Sequence, residues 1–213
     1  MKKIIAFILI IVILSFNILT VNAYESELKL YRITHYENVS TTMINQVVYS
    51  LKRFDLYYQL KDYYTNINIK KHGGYFGLFY PGSYRIEVFE SNWYWNWYPA
   101  SRGLTSNQLI WKVVYHEIGH GIHKSYEDVN TYYARKIVNN LIMENNTAKT
   151  HAVKNNWREN FAEIFSDRLV GKYRVDRNEY KETYKLINSI VTTNYGQNVH
   201  PYFLEQYKLK IMQ

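Results

Sequence analysis

The 213-residue sequence predicts a single α+β domain: an N-terminal lobe with a small twisted sheet and one long helix, then a helical C-terminal lobe. Alternation of apolar and polar residues, which is typical of strands, is found in the first half of the chain, at 28–34 and 84–90. From position 105 onwards, apolar residues recur at helical spacing instead. This order of elements, strands with one helix and then three or four helices, is the basis of the α+β prediction.

The N-terminal lobe is predicted from four segments. Leu28–Thr34 (LKLYRIT) and Ile67–Lys70 are predicted strands, and Tyr84–Glu90 (YRIEVFE) alternates strictly, which predicts a half-exposed strand. Between the first two strands, apolar residues at spacings of three and four predict one helix over Thr41–Tyr63. The aromatic segment Trp93–Tyr98 (WYWNWY) either covers the sheet or forms the wall of a ligand cleft, and the first interpretation is favoured.

The C-terminal lobe begins at a capping box. Thr105 and Gln108 have the spacing of an N-cap residue and its partner, and they predict a helix that runs past Ile118. Further helices are predicted at 126–141, from Asn156 to Leu169 with Glu159 as the capping partner, and at 178–190.

Composition excludes several classes of protein. With 47% hydrophobic and 21% charged residues, the chain has enough apolar material to fold around a core. It has no cysteine, which excludes a disulfide framework, a thiol nucleophile and any cysteine-ligated metal site. The net charge is +8, but the basic residues form no dense block, so no nucleic-acid partner is expected.

The first 23 residues have the features of a secretory signal peptide. Two lysines precede the apolar run Ile4–Leu14, and the small residue Ala23 is suited to cleavage. We therefore expect a secreted, extracellular domain over 24–213 that is not inserted in a membrane. The absence of cysteine suits a Gram-positive bacterium. The alternative is an uncleaved anchor and a surface-anchored protein, because Ile4–Val21 is just long enough to span a membrane.

The motif HExxH lies on the first helix of the C-terminal lobe, at His116, Glu117 and His120. Histidines four residues apart lie on one face of a helix, where two ring nitrogens can bind one zinc ion. Zinc lowers the pKa of a bound water to near neutrality, and Glu117 can take its proton as general base and return it as general acid. The motif therefore predicts a zinc site with hydrolytic chemistry, although the sequence does not exclude another divalent metal.

Such a site needs a third protein ligand. The pattern HExxHxxGxxH is excluded, because His123 and Tyr126 stand where glycine and histidine are required. The other common solution is a carboxylate on a downstream helix. Glu159, Glu163 and Asp167 are candidates, and their spacing of four places them on one helix face.

The segments HEIGHGIH and ENFAEIF together resemble the zinc metallopeptidases related to the anthrax lethal factor catalytic domain and the secreted Pro-Pro endopeptidases. The resemblance covers about fifteen residues. It implies a zincin-like fold of the gluzincin type, with the HExxH helix between the two lobes, and a zinc endopeptidase that acts on a protein or peptide substrate. It also implies that Glu159 is the third zinc ligand and that Glu163 lies next to the ligands without binding zinc.

Two observations leave alternatives open. The family has a tyrosine for the oxyanion about seven residues before the ligand glutamate, whereas this chain has Ala152, and His151 is the nearest group that can donate. This departure favours a second hypothesis, an inactive or weakly active binding module of toxin-like type. In addition, Glu163–Asp167 (EIFSD) resembles the thermolysin-type ExxSD segment, in which the glutamate binds zinc.

Three further features of the sequence carry predictions, and two of them have a second interpretation. His123 is expected at the surface, the alternative being a group that supports a ligand. Gly119 and Gly121 flank His120 and are expected to allow another backbone to approach the helix. The strand Tyr84–Glu90 is either the edge strand that pairs with an extended substrate or a purely structural strand.

Overall fold

The computed structural model describes residues 23–36, 38–91, 103–153, 156–171 and 175–191, and the fold is α+β. Most of the expected signal peptide and the aromatic segment Trp93–Tyr98 lie outside the described residues. Within the described ranges, no helix combines the length and the apolar character needed to cross a membrane.

The first described element is a helix, α1, at 23–30, where the alternation predicts a strand. The strand prediction is wrong here except for the short strand β1, Ile33–His35. The segment is helical because it packs against the next helix: Leu28 is buried in the core, and Glu27 forms an ion pair of 2.6 Å with Lys52. Tertiary packing therefore overrides the local alternation.

The single long helix predicted for the N-terminal lobe is interrupted. Helix α2, Thr41–Lys52, is followed by a turn and then by the short helix α3, Leu56–Leu60. Within the turn, Phe54 and Asp55 both have left-handed backbone angles, with φ of 55° and 54°. A right-handed helix cannot continue through such residues, so the chain changes direction between α2 and α3. A 3₁₀ turn at Lys61–Tyr63 follows α3.

Within the described residues, the sheet has four strands in the order β1-β2-β4-β3. The strands that complete it are β2 (Asn66–His72), β3 (Gly77–Tyr80) and β4 (Arg85–Ser91). The pairs β1–β2 and β2–β4 are parallel, and β3 pairs antiparallel with β4. This order places β3 at one edge of the sheet.

Strand β4 lies inside the sheet, so of the two interpretations of Tyr84–Glu90 the structural strand is confirmed and the edge strand is wrong. The expected half-exposure is also wrong, because Glu87 is buried together with its apolar neighbours. Its partners β2 and β3 cover both of its edges, and Ile86, Val88 and Phe89 are buried. The edge position belongs to β3, whose sequence GLFY has too little alternation to predict a strand.

In the part of 103–191 that the structure describes, the chain forms four helices, at Ser106–Asp128 (α4), Tyr132–Thr147 (α5), Trp157–Val170 (α6) and Lys181–Ile190 (α7). The predicted capping box is confirmed: Thr105 Oγ1 accepts from the Gln108 amide at 3.1 Å, and Gln108 Oε1 accepts from the Thr105 amide at 2.9 Å. The next helix begins later than predicted because α4 continues to Asp128. The prediction of α6 from Asn156 is confirmed.

Helix α4 lies between the sheet and the other C-terminal helices. It contacts β3 and β4 of the sheet, and it also contacts α2, α5 and α6. Two glycines make these contacts close, as the sequence predicts. A Cβ at Gly119 would lie 2.9 Å from the Ala162 Cα of α6, and one at Gly121 would overlap the Tyr63 carbonyl oxygen.

Candidate metal centre

A row of basic side chains on α4 faces a row of acidic side chains on α6. Both rows have a spacing of four residues, so each lies on one face of its helix. The pairs run in opposite directions along the two helices, which are therefore antiparallel at this contact. The basic row is Lys112, His116 and His120, and the acidic row is Asp167, Glu163 and Glu159.

At one end of these rows, two histidines and one carboxylate converge. The Nε2 atoms of His116 and His120 lie 3.1 Å apart. Glu159 Oε2 lies 3.2 Å from His116 Nε2, and Glu159 Oε1 lies 3.4 Å from His120 Nε2. All three donor groups lie within 4.8 Å of one another, which is close enough for them to bind a single metal ion.

Two local features bring Glu159 to this position. The Asn156 side chain caps α6 by accepting from the Glu159 amide at 3.3 Å, which places Glu159 in the first turn. One turn later, Ala162 contacts Gly119, so the two helix backbones approach each other beside the histidines. The predicted role of the Glu159 side chain as a capping partner is not what the structure shows, since its carboxylate faces the two imidazoles.

The pKa values of Glu159 and His116 are shifted because these side chains lie close together. Hydrogen bonds with His116 and His120 hold the pKa of the Glu159 carboxyl well below its usual range. Burial by itself lowers the pKa of His116, but the hydrogen bond with Glu159 and the nearby carboxylates raise it above its ordinary value. The carboxylate is therefore ionised at neutral pH and attracts a cation to this point.

Glu117 is next to this group and does not belong to it. The side chain is buried, with 6% of its surface exposed, and it lines the same cavity as the histidines. Gly77 in β3 provides the space for the carboxylate, because a Cβ there would lie 2.7 Å from Glu117 Oε1. Burial raises the pKa of Glu117, while His116 and His120 act in the opposite direction. Such a carboxylate can accept and return a proton.

The cavity has a volume of about 880 Å³, within the usual range for a ligand site. One wall is the edge strand β3, with Gly77, Leu78 and Phe79. The opposite wall consists of side chains from α4 and the first part of α6, including the three candidate ligands. An extended molecule that lies along β3 therefore passes the donor groups and Glu117.

Glu163, the alternative third ligand, has a different partner. Its Oε2 lies 2.7 Å from the Nζ of Lys112, and its Oε1 is 4.0 Å from His116 Nδ1. Lys112 also pairs with Asp167, and both Lys112 and Asp167 are buried. The structure thus groups Glu159 with the two histidines and Glu163 with a buried lysine.

His123 is buried, so the expectation of a surface histidine is wrong. Only 5% of its surface is exposed, because the rings of Trp157 and Phe161 cover it. Its Nε2 lies 3.0 Å from the Nδ1 of His120, on the side of that ring away from Glu159. Burial lowers the pKa of His123 to about 3, so the ring is neutral.

His151, the predicted oxyanion donor, is not among the described residues that line the cavity. Its Nδ1 lies 3.1 Å from the Tyr180 hydroxyl oxygen, and that hydroxyl donates its proton to the Thr150 carbonyl. Ala152 packs against the hydrophobic core. Among the described tyrosines, Tyr75 lines the cavity.

Sequence reasoning missed the edge strand β3, the pairing of Lys112 and the burial of His123. Lys112 precedes His116 by four residues, as His116 precedes His120, and this spacing indicates that the lysine lies on the same helix face as the two histidines.

Comparison with known protein families, curated proteins and solved structures found no match for this chain.

Proposed function

We propose that this protein is a secreted zinc endopeptidase with a zincin-like fold of the gluzincin type. One observation carries the proposal: the convergence of His116, His120 and Glu159, with Glu117 beside them, in a cavity walled by an edge strand. Two imidazoles and one carboxylate are a donor set that suits zinc, and they leave a coordination position open. Secretion is proposed from the N-terminal sequence.

The side chains at the site have separate roles in the proposed reaction. When bound, zinc supplies a Lewis acid that acidifies water and polarises a carbonyl group. His116, His120 and Glu159 would hold the ion. Glu117 takes a proton from the attacking water and passes it to the nitrogen of the leaving amine. The buried position of its carboxylate, confined by Gly77, keeps it directed into the cavity.

The edge strand supports a peptide as the substrate. Among the described strands, β3 pairs on one side only, with β4, and its residues line the cavity. An extended peptide can add to such an edge through backbone hydrogen bonds, which require no particular side chains. In the proposed complex, the substrate backbone lies along Gly77–Tyr80 and its scissile carbonyl faces the donor groups.

A second candidate is a zincin-fold binding module without turnover. It is favoured by the alanine at position 152, which packs against the core where the family has its oxyanion tyrosine. Loss of one oxyanion donor costs roughly 10²–10³ in rate. This candidate predicts metal and peptide binding without cleavage.

The proposal is tested with residues 24–213, loaded with zinc, and a diverse peptide library. We expect one zinc per chain and cleavage that a chelator abolishes and added zinc restores. The cleaved bonds would define the sequence preference. One bound zinc without any cleavage would support the binding module, and cleavage that persists after complete removal of metal would contradict the proposed chemistry.

Substitution of the acidic row distinguishes the two candidate ligands. We expect Glu159→Gln to lower zinc affinity by more than roughly hundredfold, since changes in groups that only support a ligand already cost about 10–100-fold. Glu163→Gln should cost less than about tenfold, because this carboxylate pairs with Lys112. Competition with a chromophoric chelator measures both constants. A larger loss of zinc affinity in Glu163→Gln than in Glu159→Gln would identify Glu163 as the ligand.

A further inference from the structure

His120 has two ring nitrogens with different neighbours. Its Nε2 faces His116 Nε2 and Glu159 Oε1, as described above, and its Nδ1 faces His123 Nε2 at 3.0 Å. A neutral imidazole has one nitrogen that donates and one that accepts. A metal bound at Nε2 uses the lone pair there, so the proton of His120 is on Nδ1 and is donated to His123.

The hydrogen bond from His120 also fixes which ring nitrogen of His123 carries its proton. Because its Nε2 accepts from His120, its own proton is on Nδ1. That atom is buried and has no hydrogen-bond partner among the described residues. The nearest carboxylate oxygen, Glu127 Oε1, is 3.8 Å away and is bound by Arg158 Nε at 2.6 Å. His123 therefore interacts with the site through Nε2 alone.

The environment of His123 keeps this atom in place. The ring makes edge contacts with Trp157 and Phe161, at centroid distances of 5.4 and 6.4 Å. Both aromatic residues belong to α6, the helix that carries Glu159. The packing of α6 against α4 thus fixes a ligand and the partner of another ligand together.

We propose that His123 is a positioning residue that accepts the Nδ1 proton of His120 and thereby presents His120 Nε2 to the metal. Metal-bound histidines usually donate to a carboxylate, a backbone carbonyl or water. Here the accepting atom is the Nε2 of a second imidazole ring. The inference rests on the metal-binding part of the proposed function and does not require hydrolysis.

Two substitutions of His123 distinguish its role as a hydrogen-bond acceptor from its role in packing. His123→Phe keeps a ring between Trp157 and Phe161 but removes the accepting nitrogen. His123→Gln loses the ring but can place an amide oxygen close to the position of Nε2. We expect the Phe variant to bind zinc about 10–100-fold more weakly and the Gln variant to stay within about threefold of the parent.

Zinc affinity is measured by chelator competition and folding by thermal unfolding of the metal-free proteins. Equal affinity of the Phe variant and the parent would overturn the inference, as would an equal loss in both variants. Imidazole ¹⁵N spectra of the zinc-loaded parent should show His123 protonated on Nδ1, and protonation on Nε2 would also overturn it. If the parent binds zinc but cleaves nothing, the proposed function fails while this test still decides the role of His123.

Discussion

Glu117→Gln should reduce peptide hydrolysis by roughly 10²–10⁴-fold and leave zinc bound one to one, because it removes general acid–base catalysis without removing a ligand. The structure supports this separation of roles. Glu117 lies in the cavity but outside the group of three donors, and glutamine has nearly the same shape in the space beside Gly77. The kcat/KM of the best library peptide and the zinc content measure the two effects.

The matched control is Asp128→Asn, at the end of the same helix. Asp128 is not among the residues that line the cavity, and it accepts a hydrogen bond of 2.7 Å from the Tyr84 hydroxyl. This variant should keep kcat/KM within about threefold of the parent, since surface substitutions away from a site have small effects. If Glu117→Gln cleaved as fast as the parent, Glu117 would not be the general base.

Lys112→Met should lower the free energy of unfolding by about 3–5 kcal/mol, because it leaves the carboxylates of Glu163 and Asp167 without their buried cation. Lys112 has 4% of its surface exposed and contacts both carboxylates. Denaturant unfolding of the metal-free protein at pH 7 measures the change. For a domain of this size it corresponds to a decrease in Tm of roughly 6–20 °C.

Two further variants control this experiment. Lys124→Met removes a lysine from the same helix, but its pair with Asp128 is near the surface and should contribute at most about 1 kcal/mol. The triple change Lys112→Met, Glu163→Gln and Asp167→Asn removes all three charges and should recover much of the lost stability. Equal destabilisation by Lys112→Met and Lys124→Met would show that the buried cluster does not stabilise the fold.

The antiparallel rows explain how the chain separates two carboxylates of similar sequence context. Glu159 and Glu163 occur one turn apart on the same face of α6, and either spacing from His120 suits a zinc ligand. Lys112 engages Glu163, while the contact of Gly119 with Ala162 sets the position of Glu159 beside the histidines. Which of the two carboxylates lies beside the histidines therefore depends on the relative position of α4 and α6.

Features that depend on near neighbours in the chain can be predicted from local sequence patterns. The spacing of His116 and His120 places them on one helix face wherever that helix packs, and the capping box at Thr105 fixes where the helix begins. The α+β class follows from the order of alternating and helical segments. Each of these features involves residues within a few positions of one another, so a local pattern is sufficient to predict it.

Features that depend on distant segments of the chain arise only when those segments pack together. Whether β3 or β4 forms the sheet edge depends on strand order, which pairs residues far apart in the chain. His123 has the polarity of a surface residue, yet it is buried because Trp157 and Phe161 cover it. The grouping of Glu159, rather than Glu163, with the two histidines has the same origin, because it depends on how α6 packs against α4.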